Sequence, residues 1–147
     1  MLWFHIGMPK TGITALQGYL HSNRAFLRNH KIRYMATGRD RGTGRARLIC
    51  HNSMAISMAR GWLDAPLPEA FFKEYEAHNA QHCIVSSEMF FGRDLSSLYS
   101  RYLSTMTTPV RFVIYIRRFD EFIEADYKQR AKNGMRRMVM PSVPPHA

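Results

Sequence analysis

Apolar residues follow two kinds of pattern along this chain. Short runs in which nearly every position is apolar or β-branched predict strands at Leu2 to Ile6, Lys31 to Met35, His82 to Ser87 and Val110 to Ile116. Longer stretches with helical spacing lie between them. Leu16, Tyr19, Leu20 and Leu27 recur within a helix predicted from Ile13 to about Asn29. Further helices are predicted over Leu48 to Leu63, Pro68 to Asn79, Leu95 to Met106 and Phe119 to about Asn133. Phe71, Phe72 and Tyr75 share one face of the third helix, Phe122, Ile123 and Tyr127 form a stripe on the last, and Gly134 supplies a stop. Strands alternating with helices predict an α/β fold, a three-layer P-loop-like parallel sheet with helices on both faces. In such a sheet ligands bind outside the carboxyl ends of the strands.

Length and composition refine this picture. A chain of 147 residues, 46% hydrophobic, is one domain with enough apolar material for a core. The domain is expected over residues 1–134, with 135–147, which include three prolines, as a disordered tail. The formal charge of +10 requires an anionic partner to be considered. The chain shows no recognition helix, paired sheet aromatics or zinc module, so a nucleic-acid partner rests on charge alone. Cys50 and Cys83 are not in a CxxC arrangement and read as buried free thiols; no Cys/His cluster has metal-ligand spacing. The apolar start is too short for a signal peptide and no run approaches a membrane span, which makes a soluble, cytoplasmic protein the expectation. Gly38 to Arg47, with Arg39, Arg41, Arg45 and Arg47, reads as a basic loop: a solvated connector or an electropositive flap over an anionic ligand.

Candidate chemistry begins where the first strand stops. Gly7-Met8-Pro9-Lys10-Thr11-Gly12 separates a strand from a helix, the arrangement in which backbone N–H groups and a helix N-terminus converge on phosphate. A Walker A loop has Lys directly after its second glycine; here Ile13 and Thr14 follow Gly12, and the lysine stands earlier, at position 10. The string from His5 to Thr14 closely resembles the 5′-phosphosulfate loop of the sulfotransferase family. Tyr115-Ile116-Arg117-Arg118 is similar to that family's second motif, in which an arginine after a strand grips the 3′-phosphate of the nucleotide. A guanidinium suits this role because it stays charged and donates paired hydrogen bonds.

The resemblance implies transfer of a sulfuryl group from 3′-phosphoadenosine 5′-phosphosulfate (PAPS) to a hydroxyl of a carbohydrate or other small acceptor, without a metal. It assigns Lys10 to the bridging oxygen and Arg117 to the 3′-phosphate. Pro9, Lys10, Thr11, Gly12, Ile13 and Thr14 form the cofactor-binding loop, in which the backbone N–H groups of Thr11 to Thr14 and the Thr11 and Thr14 hydroxyls hold the 5′-phosphate. Glu88, after the strand at Cys83, matches the base that takes the acceptor proton. His51 is an alternative base, Arg118 is expected to face solvent, and oligomeric state is open. Ile13 and Ala125 stand where the family carries hydroxyls, and each lost hydrogen bond to a charged group is worth roughly 1.5–3 kcal/mol. The likeness covers roughly residues 1 to 134, and family members continue further, so a truncated chain is expected. Two alternatives stay open: a non-catalytic nucleotide-binding fragment of the same fold, and a small P-loop phosphotransferase with Glu88 near magnesium.

Overall fold

The computed structural model describes residues 1–39, 49–59, 66–78, 80–104 and 106–132. The tail after residue 134, the stop at Gly134 and most of the basic loop lie outside them. The chain divides into two compact units, Met1–Ile116 and Arg117–Ala147. The first is an α/β unit with four parallel strands: β1 (Leu2–Gly7), β2 (Ile32–Tyr34), β3 (His82–Ser86) and β4 (Val110–Tyr115). Their order across the sheet is β2-β3-β1-β4. β1 is central, pairing Leu2 with Cys83 and His5 with Ser86 on one side, and Leu2 with Val110 through Gly7 with Tyr115 on the other.

The helices fall between the strands: α1 (Ile13–Ser22), α2 (Arg24–Asn29), α3 (Asn52–Ala59), α4 (Pro66–Ala77) and α5 (Leu95–Leu98). The single helix predicted from Ile13 is broken at Asn23. Its side-chain Nδ2 and its backbone N–H both bond the Tyr19 carbonyl, at 2.9 and 3.0 Å, offering the backbone an exit from the helix. After α5 the chain widens into a π-helical turn over Tyr99–Leu103.

The main core gathers Leu2, Phe4 and Ile6 of β1, Cys83 and Val85 of β3, Met54, Ala55 and Met58 of α3, and Phe71 of α4. A second cluster joins Leu20, Leu27 and Tyr34, with Leu16, Ile32 and Ile84 against it. Ile84 alternates with Cys83 and Val85 along β3, so successive side chains of that strand serve different clusters. Cys50 and Cys83 are buried thiols that are not joined in a disulfide. Among the described residues no helix is long and apolar enough to cross a membrane.

The second unit contributes α6 (Phe119–Lys132), which buries none of its residues. Of the expected apolar stripe Phe122 is half-buried, whereas Ile123 and Tyr127 are exposed, Tyr127 at 67%. The helix carries its own support in the i,i+4 ion pairs Arg117–Glu121, Glu124–Lys128 and Asp126–Arg130, each worth a few tenths of a kcal/mol.

Two polar groups, one half-buried and one fully buried, lock the strand ends of the first unit. Glu74 of α4 accepts Arg33 Nε and Nη2 at 3.1 and 2.9 Å, and the N–H groups of Ala36 and Thr37 where β2 ends. Burial pushes the Glu74 pKa up, but these hydrogen bonds outweigh it and hold the group below its ordinary value. His51 is fully buried. Its Nδ1 accepts the Ser86 N–H at 3.1 Å, its Nε2 donates to the Met35 carbonyl at 3.0 Å, and its backbone N–H donates to Ser86 O at 2.8 Å. The imidazole thus ties the ends of β2 and β3 together.

Burial holds the His51 pKa at about 4 against an ordinary 6.5, even though the Ser86 and Met35 hydrogen bonds act upward. A histidine kept neutral by folding binds fewer protons in the native than in the unfolded chain between those values, so stability falls as pH drops through that window. The expected loss from pH 6.5 to 4 is about 3 kcal/mol. Urea unfolding across this range should show it. His51→Gln should be less stable at pH 7 but have a shallower slope; an unchanged slope would exclude His51 as the source.

Candidate functional site

The loop leaving β1 is shaped by one absent side chain. A Cβ at Gly7 would fall 1.6 Å from Cδ1 and 2.4 Å from Cγ1 of Ile13. Ile13, only 3% exposed, lies over the end of the strand and docks the first turn of α1 there. Ile13 stands where the resemblance would place a hydroxyl. Its side chain is a packing group, and what it has to offer a ligand is its backbone N–H.

Between these two residues the chain reverses through two left-handed positions, Lys10 at φ 70° and Gly12 at φ 81°. Gly12 tolerates this geometry; Lys10 is a bulky residue in a region costing of order 1–3 kcal/mol, a strain that clusters at ligand sites. The Met8 N–H bonds Tyr115 O at 2.9 Å, anchoring the loop's first residue to β4. Thr11 Oγ1 donates to Met8 O at 2.7 Å. This hydrogen bond closes the loop on itself. Thr14 is exposed, and Pro9 and Lys10 are half-buried. The first helical hydrogen bond runs from Ala15 N to Gly12 O at 3.0 Å. The N–H groups of Ile13 and Thr14 precede it and point out of the helix end, where an anion is favoured.

β3 ends beside this loop, because β1 and β3 are neighbours in the sheet. The Ser87 N–H bonds His5 O at 3.1 Å, continuing the pairing past Ser86. Ser87 then caps a 3₁₀ turn over Glu88–Phe90, its Oγ accepting Met89 N–H at 3.0 Å and donating to Asn52 Oδ1 at 2.6 Å. Glu88 opens that turn and is exposed. A carboxylate thus stands after β3 and a lysine after β1, at the carboxyl ends of adjacent strands. His51, the alternative base, is sealed in the interior with both ring nitrogens engaged, which removes it as a base.

Beneath the loop lies a polar group that sequence reasoning missed. His5 Nδ1 is 2.8 Å from Ser86 Oγ, which also accepts Gln17 Nε2 at 3.2 Å. All three residues are buried. Burial lowers the His5 pKa, keeping the imidazole neutral, and its Nε2 has no hydrogen-bond partner among the described residues. The available signal was a glutamine placed between Ile13 and Leu20 on the buried stripe of α1.

Arg117 belongs to the second unit, where its Nε donates to Glu121 at 3.1 Å. Arg118 is exposed, as expected, and pairs with Asp120. Ala125 is partly buried within α6. Among the described residues no group of His, Cys, Asp and Glu is arranged to hold a metal ion. Comparison of the chain with protein-family models, curated proteins and solved structures finds no match.

The contact between Gly7 and Ile13 makes a testable pair. Gly7→Ala should destabilise the protein by roughly 2–3 kcal/mol through overpacking. Ile13→Ala alone leaves a cavity, yet combined with Gly7→Ala it removes the clash. The double variant should therefore be more stable than the sum of the singles by at least about 1 kcal/mol in urea unfolding. Simple additivity would contradict the contact.

Proposed function

We propose that this chain is a sulfotransferase-type enzyme with a three-layer P-loop-like fold. It transfers the sulfuryl group of PAPS to a hydroxyl of a carbohydrate or other small acceptor. The observation carrying this reading is the loop from Gly7 to Thr14. It leaves the carboxyl end of a central parallel strand, turns through left-handed residues at Lys10 and Gly12, and delivers the N–H groups of Ile13 and Thr14 at a helix start. Such a turn directs backbone dipoles at an anion. Two features support the wider fold. The two core clusters draw on alternate residues of β3. The connections after β1 and β3 run to β2 and β4, in opposite directions across the sheet, which opens a crevice between β1 and β3.

The loop is chemically suited to the nucleotide's 5′ end. The glycine at position 7 brings backbone close, position 12 accepts the left-handed turn, and the first turn of α1 contains no acidic residue to repel a phosphate. The buried Ile13 and the committed Thr11 hydroxyl shift the burden from side chains to backbone N–H groups and to Lys10. The Lys10 ammonium supplies the positive charge where negative charge develops on the leaving oxygen. Glu88, in the turn that follows the strand next to β1, is the group that accepts the acceptor's proton. The family resemblance gives Arg117 the 3′-phosphate.

Three substitutions test this reading with radiolabelled PAPS and a panel of hydroxyl acceptors. Lys10→Ala should lower transfer at least about a hundredfold. Glu88→Gln should retain nucleotide binding while losing turnover by about 10²-fold or more. Arg117→Ala should erase the preference for nucleotides bearing a 3′-phosphate. Full activity in Glu88→Gln would remove Glu88 as the base, and nucleotide binding without transfer in the unsubstituted chain would favour a non-catalytic module.

A further inference from the structure

At the amino end of β4, α4 and the segment from Met106 to Thr108 line a cavity of about 340 Å³. β1 and β4 run parallel, so this is the end of the sheet opposite the glycine loop. The lining residues are Phe72, Tyr75, Glu76, Met106, Thr107 and Thr108. They combine two aromatic rings and a thioether with three hydroxyls and a single charged group, the Glu76 carboxylate. The volume falls at the small end of the ~300–1,000 Å³ of small-molecule pockets, which are mostly apolar with a few polar groups that fix orientation.

Both walls are held by the packing behind them. Phe72, Tyr75 and Glu76 stand at i, i+3 and i+4 of α4, on one helix face. Phe72, Tyr75 and Met106 rest against the main core, and the Phe72 ring meets the buried Phe71 ring at 71°, with centroids 5.5 Å apart. On the other wall the Met106 N–H bonds Leu103 O at 3.1 Å, and the Pro109 carbonyl accepts the Leu2 N–H at 3.0 Å. Thr107 and Thr108 are thus strung between two fixed points. The fold does not use the polar groups of this lining. Among the described residues Glu76 forms no ion pair, and neither its carboxylate nor the Tyr75, Thr107 and Thr108 hydroxyls have a hydrogen-bond partner. Glu74, two residues earlier, differs in being engaged by Arg33 and by the N–H groups of Ala36 and Thr37.

We propose that this cavity binds a small protonated primary amine that carries one ring or a short apolar chain. The ammonium pairs with Glu76 through a charge-assisted hydrogen bond. Its other N–H groups are donors for the hydroxyl oxygens of the lining, and aromatic faces attract a cation. The apolar part lies against Phe72, Tyr75 and Met106, whose flexible thioether adapts to the shape presented. An anion is disfavoured, because the carboxylate is the only charge in the lining. The overall charge of +10 repels cations, so capture of one here reports local chemistry and not the long-range field. The inference does not rest on the activity assigned to the glycine loop.

Benzylamine at neutral pH is the probe, and benzyl alcohol, similar in shape but uncharged, is the control. Both are titrated at constant ionic strength while NMR follows the Thr107 and Thr108 amides and the Met106 methyl group. Benzylamine should shift these signals along one saturable curve, and benzyl alcohol should bind at least about fivefold more weakly. Glu76 is exposed, so Glu76→Gln leaves the core untouched. It should weaken benzylamine at least about threefold and leave the alcohol unchanged. Glu69→Gln, which removes an exposed carboxylate of the same helix outside the cavity, should alter neither affinity. Shifts that do not saturate, equal affinity for amine and alcohol, or benzylamine binding untouched by Glu76→Gln would each overturn the proposal. Equal weakening by Glu69→Gln would also overturn it, since the effect would then belong to net charge.

Discussion

Helix α1 can begin where it does because Gly7 has no side chain. The Ile13 side chain occupies the space a Cβ would fill, bringing the helix start over the end of the central strand. Everything proposed for the loop depends on this close approach. It fixes the span that residues 8 to 12 must cover and forces that span through left-handed geometry at Lys10 and Gly12. The loop is consequently a consequence of packing as much as of its own residue types.

The same strand ends are stiffened from below by polar groups that the core encloses. His5, Ser86 and Gln17 connect β1, β3 and α1, and His51 joins the ends of β2 and β3. Buried hydrogen bonds of this kind are worth about 1 kcal/mol each when made and cost more when one partner is lost. Their structural value lies in register. They hold the ends of adjacent strands together, so the loop after β1 and the turn carrying Glu88 leave from fixed points. Burial keeps both histidines neutral, which suits a structural role and not proton transfer at neutral pH.

The strands were legible because near-continuous apolar runs have few alternative homes. Leu2–Gly7 and Val110–Tyr115 differ from the sequence reading by a single residue at one end. Helices were less legible where one side chain competes with the backbone: Asn23 splits what periodicity joins. The stripe on α6 followed from spacing, yet spacing does not say which of its residues are buried. At the candidate site, the positions of Lys10, Gly12 and Glu88 followed from pattern. The packing of Ile13 against Gly7 and the bond from Thr11 to Met8 did not, because such contacts exist only once the strand end and the helix start are brought together.

The central claim is that the loop from Gly7 to Thr14 serves a nucleotide carrying both 5′ and 3′ charges. Calorimetric titration of adenosine 3′,5′-bisphosphate against ADP and AMP, at two salt concentrations, tests it most directly. Generic attraction to a protein of charge +10 weakens with salt, whereas a site with defined donors keeps its selectivity. A preference for the 3′,5′-bisphosphate that persists at the higher salt is the predicted result. Equal affinity for the three nucleotides, or binding that disappears with salt, would contradict it.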